Sequence, residues 1–137
     1  MNKIEHIGIA VRDIEESIEL YEKLLKTTCY KTESVESEGV KTAFFRVGES
    51  KIEILAATNQ DSTIKKFIEK NGEGVHHIAF SVENIEQEID RLQEEGFILI
   101  SEKPKKGADN KIIAFLHPRS TKGVLIELCQ DEKAGLE

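Results

Sequence analysis

Apolar and polar residues alternate nearly one by one from Ile4 to Val11, in a stretch rich in β-branched side chains, and this period of two predicts a strand. The period then lengthens. Ile14, Ile18, Tyr21, Leu24 and Leu25 form a stripe at helical spacing. Asp13 is placed to cap that helix, with Glu16 three residues on as its capping-box partner. Strands are predicted near Cys29 to Ser37, Lys41 to Val47 and Lys51 to Leu55, and a short linker helix from Asp61 to Lys70, started by Asp61 or Ser62.

The same order then repeats. Ile4-Glu5-His6-Ile7-Gly8-Ile9-Ala10-Val11 lies beside Val75-His76-His77-Ile78-Ala79-Phe80-Ser81-Val82, with His6 on His77, Ile7 on Ile78 and Val11 on Val82. Ile14, Glu15 and Ile18 fall on Ile85, Glu86 and Ile89, and Ala43-Phe44 falls on Ala114-Phe115. Ile52-Glu53-Ile54 matches Ile126-Glu127-Leu128 after a small insertion. Asn84 and Gln87 repeat the helix cap, and Ile85, Ile89 and Leu92 repeat the stripe. Later strands are expected near Phe97 to Ser101, Lys111 to His117 and Val124 to Cys129, followed by a polar, frayed tail from Asp131 to Glu137. The predicted fold is α+β: two βαβββ modules in tandem, forming a curved mixed sheet. One domain is expected over 1–137, with module one at about 1–56, the linker helix at about 57–72 and module two at about 73–130.

Strand alternation sorts the side chains by face. Ile7, Ile9 and Val11 share one face of the first strand, and His6, Gly8 and Ala10 the other. In the fifth strand His76, Ile78, Phe80 and Val82 lie opposite His77, Ala79 and Ser81. Glu53 and Glu127 likewise point away from their apolar neighbours. A carboxylate set in an apolar strand is costly if buried alone, and reasonable if it binds a metal or moves a proton. If the two halves pair about a pseudo-twofold axis, His6, Glu53, His77 and Glu127 converge, and that set suits a divalent ion such as Co, Mn, Zn, Ni or Fe. His76 points the other way and is not counted. His117, before Pro118, stands at a strand end, at the rim of the expected pocket.

Composition narrows the partners. The 137 residues suffice for one core, and the net charge of -7 argues against nucleic acid or an anionic membrane as the main partner. The start of the chain shows no signal-peptide pattern, and no apolar run is long enough to span a bilayer, so a cytoplasmic protein is expected. Cys29 and Cys129 are read as reduced, small buried hydrophobes without a disulfide.

The repeat and the four site positions resemble the vicinal oxygen chelate superfamily, whose fold is named after glyoxalase. Within it, nearly the whole chain is similar to the methylmalonyl-CoA epimerase family. The segments that carry this are His6 to Val11, Gly72 to Phe80, Phe115-Leu116-His117-Pro118-Arg119-Ser120 and Gly123 to Leu128. The resemblance implies that His6, His77 and Glu127 bind a divalent metal, with Co(II) the first choice in vitro and Mn(II), Zn(II) or Ni(II) as alternatives. Glu53 is implied as the fourth ligand or a nearby base. It implies further an acyl-CoA substrate, epimerised by removal and return of the C2 proton, and a homodimer. Glu127 is expected as one acid/base group and Glu53 as the other.

One departure matters: an acid/base glutamate of one branch of the family falls at Thr42, which cannot remove a carbon-bound proton. Gly107-Ala108-Asp109-Asn110 also replaces a more glycine-rich stretch, and Lys103, Lys105 and Lys106 form a basic loop that could meet the CoA phosphates. Three other readings share the fold: glyoxalase I, with the same ligand order; an extradiol-type dioxygenase; and metal-free proteins that bind small ligands. The Phe115 to Ser120 and Gly123 to Leu128 segments favour the epimerase over glyoxalase I.

Overall fold

The strands and helices form where residue spacing demands them. In the computed structural model, which describes residues 1–101 and 103–132, the elements run β1 (Lys3–Ala10), α1 (Ile14–Leu25), β2 (Lys31–Val35), β3 (Val40–Val47), β4 (Ser50–Ala57), α2 (Thr63–Asn71), β5 (Gly74–Ser81), α3 (Ile85–Glu94), β6 (Lys105–Lys106), β7 (Lys111–Leu116) and β8 (Ile126–Asp131). Two compact units result, one of His6–His76 and one that joins Met1–Glu5 to the chain from His77 onward.

In the first unit the strand order is β2-β3-β4-β1, with β1 parallel to β4 and the other pairs antiparallel. Ile14, Ile18, Tyr21 and Leu25 of α1 pack on Val11, Ala43, Phe45, Ile54 and Ala56. The Asp13 carboxylate accepts from the Glu16 N–H at 3.0 Å, as the capping pattern predicts. Leu24, placed on the buried stripe by sequence, is 68% exposed. At 100° per residue it lies roughly 80° or more from the line through Ile14, Ile18 and Leu25.

The helix α2 is more than a linker. Ser62 caps it, accepting from the Ile64 N–H at 3.1 Å, and Ile64 and Ile68 bury against Ala10, Val40 and Leu55. Ala10 and Leu55 share the strand face that carries His6 and Glu53, so α2 roofs one end of that face. Gly39 closes the turn into β3 at φ +65°, where a Cβ would meet the Asn59 side chain at 3.0 Å.

The second unit repeats the scheme in the order β5-β8-β7-β6. Ile85, Ile89 and Leu92 of α3 pack on Val82, Leu99, Ala114, Leu116 and Leu128. Asn84 caps α3 through the Gln87 N–H at 3.0 Å. The Val11 N–H donates to the Leu55 carbonyl at 2.9 Å, and the Val82 N–H donates to the Cys129 carbonyl at 2.8 Å. These two bonds set the repeat in register and make Leu55 and Cys129 equivalent.

The expected strand from Phe97 to Ser101 is reduced to one bridge, Leu99 with Leu116, flanked by hydrogen bonds from Ile100 N to Phe115 O and from His117 N to Ile98 O. Pro104 has no N–H to continue the ladder, and pairing resumes only at Lys105 and Lys106 against Ile113 and Ile112. At the other end Asp131 pairs with Lys111 and completes β8, where fraying was expected. The expectation for residues 133–137 lies outside the described residues. Among the described residues, no helix is long and apolar enough to cross a membrane.

Leu128 is fully buried between α3 and β7. Leu128→Ala is expected to cost about 2–5 kcal/mol of stability, read by chemical denaturation.

Candidate metal centre

The two units build the same local arrangement from the same register. In the first, Gly8 of β1 lies directly opposite Glu53 of β4, and His6 sits two residues back on the same face. In the second, Ala79 of β5 lies opposite Glu127 of β8, with His77 two residues back. A small residue beside each glutamate leaves its side chain room to lean toward the imidazole. The outcome is a close pair in each unit: His6 Nε2 to Glu53 Oε1 at 3.1 Å, and His77 Nε2 to Glu127 Oε1 at 3.0 Å.

All four side chains are buried, with 4–5% of each residue exposed. A phenylalanine walls the far side of each glutamate, Phe44 opposite Glu53 and Phe115 opposite Glu127. The Phe115 ring also meets the His77 imidazole edge-on, with 6.0 Å between centroids. The sequence aligns these phenylalanines as repeat positions without giving them a place beside the glutamates. The strand pairing that puts them there becomes visible only in the fold.

The donor atoms fit a divalent ion. Two ligands at about 2.1 Å from one ion and at right angles stand roughly 3.0 Å apart, close to the separation within each pair. Imidazole nitrogen and carboxylate oxygen, buried beside an aromatic wall, form a ligand set for a first-row divalent metal. An alternative without metal is a hydrogen-bonded pair that satisfies itself, and each unit holds a pair at that distance too.

The remaining candidates divide. His76 has its ring edge-on to Phe67 of α2 at 4.9 Å. His117 caps the turn after β7, its Nδ1 accepting from the Arg119 N–H at 3.0 Å, which is a structural task. Thr42 is buried on the Glu53 face, and its hydroxyl donates to the Glu33 carbonyl at 3.2 Å. Lys105 and Lys106 form β6 with exposed side chains, and Lys106 pairs with Glu132 at 3.2 Å. Gly107 sits so close to β7 that a Cβ there would stand 2.8 Å from Ile113 Cδ1. Both cysteines are free thiols, as expected. Cys129 is not just a small hydrophobe: its thiol donates to Glu127 Oε2 at 3.2 Å. Alternation places it two residues from Glu127 on the same face, which is the signal the sequence offers.

The glyoxalase/bleomycin resistance protein/dioxygenase superfamily model matches residues 5–115. The chain therefore belongs to that superfamily, and its two βαβββ units are those of the glyoxalase fold. Within it, the chain is 41% identical to the uncharacterized protein YqjC of Bacillus subtilis, across 95% of this chain and 93% of that one. It is 37% identical to an ethylmalonyl-CoA/methylmalonyl-CoA epimerase of Cereibacter sphaeroides, across 95% of this chain and 98% of the relative. The solved structure of the Streptomyces coelicolor methylmalonyl-CoA epimerase, in complex with 2-nitronate-propionyl-CoA, matches with a TM-score of 0.92 at 34% identity, covering 100% of this chain and 98% of that one.

Ala79 is fully buried against Glu127. Ala79→Leu is expected to displace that carboxylate and to cost about 1–3 kcal/mol, seen as a lower denaturation midpoint.

Proposed function

We propose that the chain is a metal-dependent methylmalonyl-CoA epimerase, in which His6, Glu53, His77 and Glu127 together hold one divalent cation. The observation that carries the reading is the pair of buried histidine–glutamate contacts at repeat-equivalent positions. The epimerases named among its relatives supply the substrate class.

When bound, the divalent cation supplies Lewis-acid stabilisation of the negative charge that develops on the substrate oxygens as C2 loses its proton. The protein residues do the rest. Glu127 takes or returns the C2 proton on one side of the carbon, and Glu53 is assigned the same work on the other. Return of the proton to the side opposite its removal inverts the centre. His6 and His77 would hold the cation together with the two carboxylates, which stand 3.1 and 3.0 Å from their Nε2 atoms. Phe44 and Phe115 exclude water on the flank of each glutamate, so that charge is felt in a low dielectric. Thr42, with its hydroxyl committed to a backbone carbonyl, takes no part in proton transfer. Lys103, Lys105 and Lys106 are the proposed contacts for the CoA phosphates, by charge. The working form is proposed to be one domain, a homodimer, in the cytoplasm, where the two free thiols would stay reduced.

The test is proton exchange. Chelator-stripped protein is loaded with Co(II) and given methylmalonyl-CoA in D2O. Metal-dependent loss of the C2 proton signal with interconversion of the epimers is expected, and absence of exchange in metal-loaded protein would overturn the reading in favour of methylglyoxal with glutathione as the next substrate to try. Glu127→Gln should lower turnover at least a thousandfold with an unchanged circular dichroism spectrum, since it alters charge and not shape. Thr42→Ala should stay within about threefold of the parent in steady-state assays.

A further inference from the structure

The two glutamates occupy equivalent places, yet the residue two positions beyond each differs in chemistry. Two residues on from Glu127, on the same face of β8, stands Cys129, which is 1% exposed and donates its S–H to Glu127 Oε2 at 3.2 Å. The equivalent residue beyond Glu53 is Leu55, whose side chain has no donor and packs under Ile64 and Ile68 of α2. Both oxygens of Glu127 are therefore engaged within its own unit, Oε1 by His77 and Oε2 by the thiol.

We propose that Cys129 is a positioning residue that fixes the carboxylate of Glu127, through a thiol donor that the repeat-equivalent residue Leu55 does not offer. Ser81 and Ile113 flank Cys129 on β5 and β7, so the sulfur is held by the sheet on both sides. A carboxylate on a long side chain loses rotamer freedom when both oxygens are held, and less entropy then remains to be lost when a cation or substrate arrives. A thiol is also a weak donor, so it orients the carboxylate without competing strongly for its charge. Groups that orient a metal ligand from behind set affinity, and their removal typically costs about 10–100-fold.

This inference rests on the metal and proton-transfer roles proposed above for Glu127. Its test combines two readouts. In a Cys29→Ser background Cys129 is the one remaining thiol, and its S–H stretching band in the infrared reports the hydrogen bond directly in the metal-free protein. Glu127→Gln should move that band to higher wavenumber, because an amide accepts less strongly than a carboxylate. Cys129→Ala should weaken Co(II) binding about 10-fold and lower kcat with little change in KM. Cys129→Ser, which restores a donor, should recover most of both. A band that Glu127→Gln leaves in place, an alanine variant that binds and turns over like the parent, or a serine variant as impaired as alanine would each overturn the role. Failure of the epimerase reading looks different: parent protein that binds Co(II) yet exchanges no C2 proton, with the infrared shift and the alanine–serine contrast in affinity intact.

Discussion

A carboxylate inside an apolar strand must find a partner or the strand does not stay buried. Glu53 lies between Ile52 and Ile54, and Glu127 between Ile126 and Leu128. Each solves the problem in the same manner, by leaning over a small residue to a histidine on the parallel neighbour strand. The rest of the local architecture answers that requirement. Bulk must be absent at Gly8 and Ala79, an aromatic wall closes the other flank, and α1 and α3 must take the opposite, apolar face of the strands. Desolvation makes the pairing obligatory, and the same desolvation makes the donors useful to a cation.

Much of this is legible in the chain itself. The repeat locates His6 with His77 and Glu53 with Glu127, because a period of two assigns faces without reference to distant contacts. The caps at Asp13 and Asn84 are legible for the same reason, since a cap is a bond between near neighbours in sequence. The features that escape such a reading depend on other parts of the fold. The stretch from Phe97 to Ser101 has strand-like composition, but its ladder against β7 shrinks to a single bridge and Pro104 interrupts it before β6. Leu24 is apolar and helical, yet it lies off the line that meets the sheet. The contact of Phe44 and Phe115 with the glutamates depends on strand register, which no single segment records.

The duplicated halves have diverged where duplication would have left them alike. Helix α2 seals Ala10 and Leu55 beneath Ile64 and Ile68. In the second unit the corresponding places are Ser81 and Cys129, the thiol joined by Ile113 and Phe115 in a smaller cluster. One histidine–glutamate pair thus sits at the end of a greasy roofed face, and the other beside a thiol and a hydroxyl-bearing residue.

The first five residues belong with the chain from His77 onward: the Asn2 N–H donates to the Ser81 carbonyl, and Glu5 pairs with Lys111. The seam between the compact units therefore does not coincide with the seam of the repeat. A gene cut after His76 would yield a leading piece with an orphaned arm and a trailing piece missing the segment that completes it. The repeat in the sequence and the compact units in space are thus cut at different points of the chain.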